Sequence, residues 1–141
     1  LAGGGYRESA GSMTAPTSFN IDYHRQGSLL RAHVTGVNGT LETTLAFWMA
    51  LAEEVRRDRA RNLLVVDDMA GDPPPPEQLQ QFVQAMLGLG FEGVRVAYVE
   101  AHAQQIPEVE HGEILAREQG FDVRVFGSES EASLWLRHGM R

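Results

Sequence analysis

Apolar and polar residues alternate near the start of the chain with the two-residue period of half-buried strands. The alternation runs from Phe19 to Tyr23, breaks at a turn around Gly27, and resumes from Leu30 to Val34. Two alternating segments joined by a short turn predict an N-terminal β-hairpin.

Apolar residues three or four positions apart follow Thr40, a residue type suited to cap a helix N-terminus. From there, helical spacing alternates with short apolar runs to the end of the sequence. We expect a helix over 41–60, a strand over 63–66, a helix from 76, a strand over 94–99, a helix from 107, a strand over 123–125 and a helix capped by Ser128.

The predicted order of elements is β-β-α-β-α-β-α-β-α, which is typical of an α/β fold with a mixed, mostly parallel sheet and right-handed crossovers. Three strands carry an arginine at an alternate position, namely Arg31, Arg95 and Arg124. Strands that are covered on both faces are usually continuous apolar runs. We therefore expect helices mainly on one face of the sheet and a partly wet opposite face that carries these arginines.

Length and charge narrow the class of protein. The 141 residues fit one domain, which we place at residues 13–141, after a stretch at 1–12 that we expect to be a foreign leader or a disordered tail. The net charge of −7 argues against binding to nucleic acid or to anionic membranes, which require a cationic surface. Without a bilayer-length apolar run or a secretory signal, we expect a cytoplasmic protein that does not insert into membranes.

Cysteine and lysine are both absent from the sequence. Their absence excludes disulfides, thiolate nucleophiles, Schiff bases and phosphate-binding loops of the Walker type. No Gly-x-Ser-x-Gly nucleophile elbow occurs either. We therefore expect a protein that is not an enzyme.

Two strand segments follow the predicted order of elements closely. They are VRVAYVE at Val94–Glu100 and GFDVRVF at Gly120–Phe126, the second followed by a capping box and by ASLWL at 132–136. Together with the order of elements, these motifs resemble the SpoIIAA-like (STAS) superfamily. The sequence from Phe19 to Gly139 is most similar to the poorly characterised STAS/SEC14-like branch. The resemblance implies a mixed sheet backed by helices and a regulatory or protein-interaction role without catalysis.

One departure from the family pattern concerns regulation. In the anti-sigma-factor antagonists of this superfamily, a phosphorylatable Ser or Thr follows an Asp at the end of the central strand. The corresponding segment here, Asp67–Asp72, contains no hydroxyl residue. We therefore expect no phosphoserine switch in this loop.

Four polar residues fall at or just beyond the predicted C-terminal ends of parallel strands: Asp67, Asp68, Glu100 and His102. Ligands of open α/β sheets bind at this edge. Carboxylates beside a histidine could hold a divalent metal or perform acid–base chemistry. Acids at strand ends more often cap the turns and helices that follow, and since no spacing-specific motif is present, we predict neither a metal site nor a cofactor.

The helix from 107 carries an acidic patch that includes Glu110 and Glu113. Paired metal-binding spacings are missing from it, so we expect a solvated helix face. Trp48 and Phe82 lie at helical spacing on other helices and are expected in the core, with a lipid-like cavity as the alternative.

Three functions are compatible with these observations. The first is a self-associating interaction module whose protein partner the sequence does not identify. The second is a binding domain for a small lipid-like or acidic-headed ligand, with its pocket at the C-terminal edge of the strands. The third is a metal-assisted hydrolase that uses Asp67, Asp68 and His102. An apolar cavity beneath Trp48 and Phe82 would favour the second function.

The three arginines also predict an interface. If Arg31, Arg95 and Arg124 project from a face without helices, apolar side chains between them are exposed, and such patches usually mark contacts. A second copy of the chain is the simplest cover, because two-fold dimers are the commonest assemblies. We therefore expect a homodimer through this face.

Overall fold

A β-hairpin forms the first edge of the sheet. The computed structural model describes residues 19–38 and 40–139, so the prediction for residues 1–12 lies outside the described part. Strand β1 (Phe19–Gln26) pairs antiparallel with β2 (Leu29–Val37). Gly27 turns the chain between them with a φ of 63°, in the left-handed region that glycine adopts without strain. The predicted hairpin is confirmed.

The remaining elements alternate between helix and strand as predicted. The sheet has the order β1-β2-β3-β4-β5, and β2 to β5 run parallel to one another. The bounds are α1 Leu41–Asp58, β3 Asn62–Ala70, α2 Pro76–Met86, β4 Arg95–Glu100, a short 3-10 turn Ala103–Gln105, α3 Ile106–Glu118, β5 Asp122–Phe126 and α4 Glu129–Gly139.

Side-chain caps fix two of the helix starts. Thr40 accepts a hydrogen bond from the backbone N–H of Thr43 at 3.1 Å, and Ser128 accepts one from Glu131 at 3.2 Å. Each bond satisfies an N–H group that the first helical turn leaves unpaired. Both caps were predicted from the sequence. None of the described helices is long and apolar enough to cross a membrane.

Helices α1, α2 and α3 all cover the same face of the sheet. Each joins two neighbouring parallel strands, and right-handed crossovers that advance in one direction place their helices on one side. The main core lies in this layer, where Leu30, Leu63 and Val65 of the sheet are buried against Phe47 and Leu51 of α1.

Helix α4 packs on the opposite face, above β3 and β4. A second core forms there from buried side chains of the two strands and the helix: Leu64, Val66, Ala97, Val99, Ala132 and Leu136. The expectation that this face leaves apolar residues such as Ala97 and Val99 uncovered is therefore wrong. Its wet part lies over the hairpin, where Asp22 and His24 are exposed.

The three arginines of this face contact α4. Arg31 forms a two-pronged ion pair with the carboxylate of Glu129, with its second nitrogen 3.0 Å from Oε1. The Arg95 guanidinium lies 3.8 Å from the ring centroid of Trp135 and donates to the carbonyl of the same residue at 3.0 Å. Arg124 is 5.7 Å from that ring. The interface through these arginines stays a prediction, but the bare surface on which it depended is covered by α4.

Candidate functional site

Strand β3 is longer than its apolar run suggests, and this decides where its acidic residues lie. The predicted strand ends at Val66, whereas β3 continues to Ala70 alongside the end of β2. Successive side chains of a strand point to opposite faces. Asp67 therefore lies on the face covered by α1 to α3, and Asp68 lies on the α4 face.

Asp67 and Glu100 come together beneath the helices. They are register partners on β3 and β4, and such neighbours lie about 5 Å apart across a sheet. Only 5% of Asp67 and 2% of Glu100 is exposed. Two carboxyl groups are thus buried side by side at the C-terminal edge of the strands.

Asp68 and His102 form a separate, more exposed group. The Nε2 atom of His102 lies 3.6 Å from Asp68 Oδ1, and that of His33 lies 3.4 Å from Asp68 Oδ2. Their side chains are 46% exposed for Asp68 and 36% for His102. The four residues predicted as one site are therefore divided between two faces of the sheet. The described residues contain no group of three His, Asp or Glu side chains placed to hold a metal ion.

Asp67 has hydrogen-bond donors on both of its oxygens. The Tyr98 hydroxyl donates to Oδ2, and the backbone N–H of Met69 donates to Oδ1 at 3.0 Å. Burial raises the pKa of Asp67 above its ordinary value, and the two hydrogen bonds oppose that rise. Burial and the neighbouring Asp67 carboxylate raise the pKa of Tyr98, so its hydroxyl keeps its proton and acts as a donor.

The cost of burying the Glu100 carboxylate is less well compensated by hydrogen bonds. The hydrogen bond that the described residues give its carboxylate comes from the backbone N–H of His102, at 3.0 Å. Burial, followed by the negative charge of Asp67, raises the pKa of Glu100 to about 7. Near neutral pH this carboxyl group therefore exchanges between an ionised acceptor and a protonated donor.

A cavity of about 110 Å³ lies beneath the helices and reaches both carboxyl groups. Its walls are mostly apolar and include an aromatic cluster around Trp48. The Trp48 ring stacks on Tyr98 at 5.8 Å between centroids and 13° between planes, and Phe82 and Phe91 lie 5.8 and 5.7 Å from it. Trp48 and Phe82 therefore belong to the core, as predicted, and they also line a cavity.

The charged groups at the cavity are all acidic. Glu113 joins Asp67 and Glu100 in its lining, and none of the described residues that line it is basic. Glu113 also accepts a hydrogen bond from the backbone N–H of Val125 at 3.0 Å. The prediction of a solvated helix face is therefore wrong for Glu113, which lies between α3 and β5.

The edge of the cavity is formed by the proline-rich segment after β3. Gln105 ties this segment to the turn before α3 by donating to the carbonyl of Gly71. Gly71 has a φ of 92°, and a Cβ atom there would lie 2.1 Å from the backbone oxygen of Asn38. The segment closes over the strand ends because a glycine allows this approach.

Sequence reasoning did not identify Tyr98 as part of the site. Its signal was available: Val96, Tyr98 and Glu100 share one face of β4, as Val65 and Asp67 share one face of β3. A tyrosine and an acid in successive positions of a buried face need polar partners. Because alternate residues of a strand share a face, the sequence places the side chains of Asp67, Tyr98 and Glu100 together.

The fold and the site define an α/β domain with an apolar cavity that ends at two buried carboxyl groups. Comparison with protein-family models and with curated proteins finds no match to this sequence.

Proposed function

We propose that this domain is a non-catalytic binding module that holds a small, mainly apolar ligand in the cavity beneath Trp48 and Phe82. The observation that carries the proposal is the cavity itself, about 110 Å³ in volume and lined mostly by apolar side chains, among them an aromatic cluster around Trp48. Protein interiors are close-packed, and voids larger than a water molecule are few. A cavity of about 150 Å³ in another protein admits benzene, so this one suits a short alkyl chain or a small ring.

The position of the cavity supports a binding role. It reaches the C-terminal edge of the parallel strands, where open α/β sheets bind their ligands. Its lining combines large apolar rings with a few polar groups, which is the usual composition of small-molecule sites.

The chemistry of the lining favours binding over catalysis. Glu100 has a raised pKa, which suits an acid–base catalyst. However, the Thr44 hydroxyl at the cavity donates to Asn38 Oδ1 at 2.9 Å, and the chain has no cysteine or lysine to act as a nucleophile. The metal-assisted hydrolase is not favoured, because Asp67 and Asp68 lie on opposite faces of the sheet.

The resemblance to SpoIIAA-like (STAS) domains gives this binding module a context. We place it in the cytoplasm as a regulatory domain that contacts a protein partner. The Asp67–Asp72 segment lacks Ser and Thr. We therefore propose that ligand binding in the cavity, rather than phosphorylation of this loop, regulates the domain.

The test uses tryptophan fluorescence with 1-hexanol, a neutral probe that matches the apolar cavity. The chain has two tryptophans, so Trp135→Phe leaves Trp48 as the reporter. We expect a saturable change in Trp48 emission. Burying about five methylene groups contributes roughly 4 kcal/mol, which corresponds to a Kd of about 1 mM.

The control experiment compares a substitution that fills the cavity with the same substitution at an exposed position. Val83 of α2 is buried and lines the cavity, whereas Met49 of α1 is exposed. In the Trp135→Phe background, Val83→Phe should abolish the response to 1-hexanol and Met49→Phe should preserve it, with circular dichroism confirming that both fold. Equal binding to the two variants would place the probe elsewhere and overturn the proposal.

A further inference from the structure

The two carboxyl groups at the end of the cavity are buried, and among the described residues no basic side chain hydrogen-bonds to them or lines the cavity. Asp67 and Glu100 are 5% and 2% exposed, and burial followed by the charge of Asp67 lowers the tendency of Glu100 to ionise. The nearby His102 opposes the rise in the pKa of Asp67, but its ring nitrogen lies 3.6 Å from Asp68 on the other face. None of the arginines in the described part of the chain lines the cavity.

A buried carboxylate without a counter-charge is costly and is normally neutralised by a proton or by a cation. Here one oxygen of Glu100 is bonded to the backbone of His102, and the group faces the cavity. A ligand that brings a positive charge and N–H donors to this position would neutralise both carboxyl groups and give Glu100 a further hydrogen bond.

The aromatic walls favour the same kind of ligand. Trp48 and Tyr98 stack beside the carboxyl pair, and Phe82 and Phe91 flank Trp48. The faces of aromatic rings carry partial negative charge and attract ammonium groups, most strongly when water is excluded. The rings can therefore contact both the hydrocarbon chain of an amphiphilic amine and the carbon atoms next to its ammonium group.

We propose that the ligand is a small organic amine, bound as its ammonium ion with the nitrogen at Glu100 and Asp67 and its hydrocarbon part against Trp48 and Phe82. This inference depends on the proposed function, because it specifies the head group of the ligand in the same cavity. It also replaces the acidic-headed ligand that the sequence suggested. A ligand carboxylate would add a further negative charge beside Asp67, Glu100 and Glu113.

The experiment compares three probes of equal chain length at pH 8: hexylamine, 1-hexanol and hexanoate. Titrations use the Trp135→Phe protein and follow Trp48 emission. We expect hexylamine to bind at least about tenfold more tightly than 1-hexanol, because its ammonium group adds a charge-assisted hydrogen bond. Hexanoate should bind most weakly.

Single neutral substitutions identify the groups responsible. Glu100→Gln should remove the preference for hexylamine over 1-hexanol while the binding of 1-hexanol persists. Asp67→Asn provides a second variant with the same expected loss, so the result does not depend on the folding of one protein. The control is Glu110→Gln, an equal change of charge at an exposed position of α3, which should leave the preference intact.

The outcomes separate this inference from the proposed function. If 1-hexanol binds in the cavity as tightly as hexylamine, or if Glu100→Gln and Asp67→Asn both keep the preference, the ammonium head group is wrong and the apolar binding module stands. If none of the three probes binds in a way that Val83→Phe abolishes, the proposed function fails and this inference fails with it.

Discussion

Glu100 links the stability of the fold to pH. Its pKa is raised to about 7 by burial and by Asp67, whereas an exposed glutamate in the unfolded chain titrates near ~4.3. Between these values the folded protein binds more protons than the unfolded one. Stability is therefore greatest below the unfolded pKa and declines as pH rises through the folded pKa. The raised pKa of Asp67 acts in the same direction.

We predict that the free energy of unfolding falls by roughly 2–3 kcal/mol between pH 5 and pH 8 on account of Glu100. Glu100→Gln, which mimics the protonated side chain, should flatten this dependence and make the variant more stable than the parent at pH 8. Urea denaturation followed by circular dichroism at both pH values measures the effect.

The groups that face Glu100 define the control for this prediction. After burial, the charges of Asp67 and Asp68 on β3 raise the pKa of Glu100, and Glu113 of α3 lines the same cavity. Glu110→Gln removes a charge from the exposed side of the same helix and should keep the pH dependence. A Glu100→Gln protein with an unchanged slope would show that the buried carboxyl group is not the source.

At the residue level, the sequence predicts which polar side chains matter but not how they group. Asp67 and Glu100 were identified from their positions at the ends of strands, and the structure brings them together. Asp68 and His102 were assigned to the same site and lie on the other face. The reason is the length of β3. Its apolar run stops at Val66, so the run alone does not show that the strand continues and places Asp67 and Asp68 on opposite faces.

Among the elements, the proline-rich segment after β3 is the part that shapes one edge of the cavity. Its geometry depends on Gly71, whose φ of 92° and approach to Asn38 exclude a Cβ atom. Gly88, after α2, has a similar φ of 80° but open space around it. Substitution of Gly88 therefore measures the cost of backbone strain alone, whereas substitution of Gly71 measures strain together with a steric clash.

We predict that Gly88→Ala costs about 1–2 kcal/mol from the positive φ alone. Gly71→Ala should cost a further ~1–3 kcal/mol, because the new methyl group must displace the backbone of Asn38. It should also weaken the binding of 1-hexanol, since the segment that closes the cavity moves. Thermal unfolding and the fluorescence titration measure these effects; equal losses in both variants would contradict the role of the close approach.

The order of the elements was predictable because each has a local signal. Caps at Thr40 and Ser128, a proline at Pro76 and the two-residue period of the hairpin all depend on neighbouring residues alone. The position of α4 was not predictable in this way. The other three helices are placed by right-handed crossovers, but no strand follows α4 among the described residues, so its position depends on packing against Ala97 and Val99.

In the whole molecule, the two faces of the sheet differ in what covers them and in the polar groups they contain. The face covered by α1, α2 and α3 contains the cavity and the buried acids. The opposite face is occupied over β3 and β4 by α4, which Arg31, Arg95 and Arg124 hold through Glu129 and the Trp135 ring. The arginines therefore act within one chain, and the proposed function does not require a second copy.

Locating a bound amine directly is the decisive measurement for this account. Isotope-filtered nuclear Overhauser spectra of the protein with unlabelled hexylamine report which side chains lie within about 5 Å of the ligand protons. The account predicts contacts from the hexyl chain to the rings of Trp48, Phe82 and Phe91, and their loss in Val83→Phe. Contacts confined to exposed side chains such as Met49, or cavity contacts that persist in Val83→Phe, would contradict it.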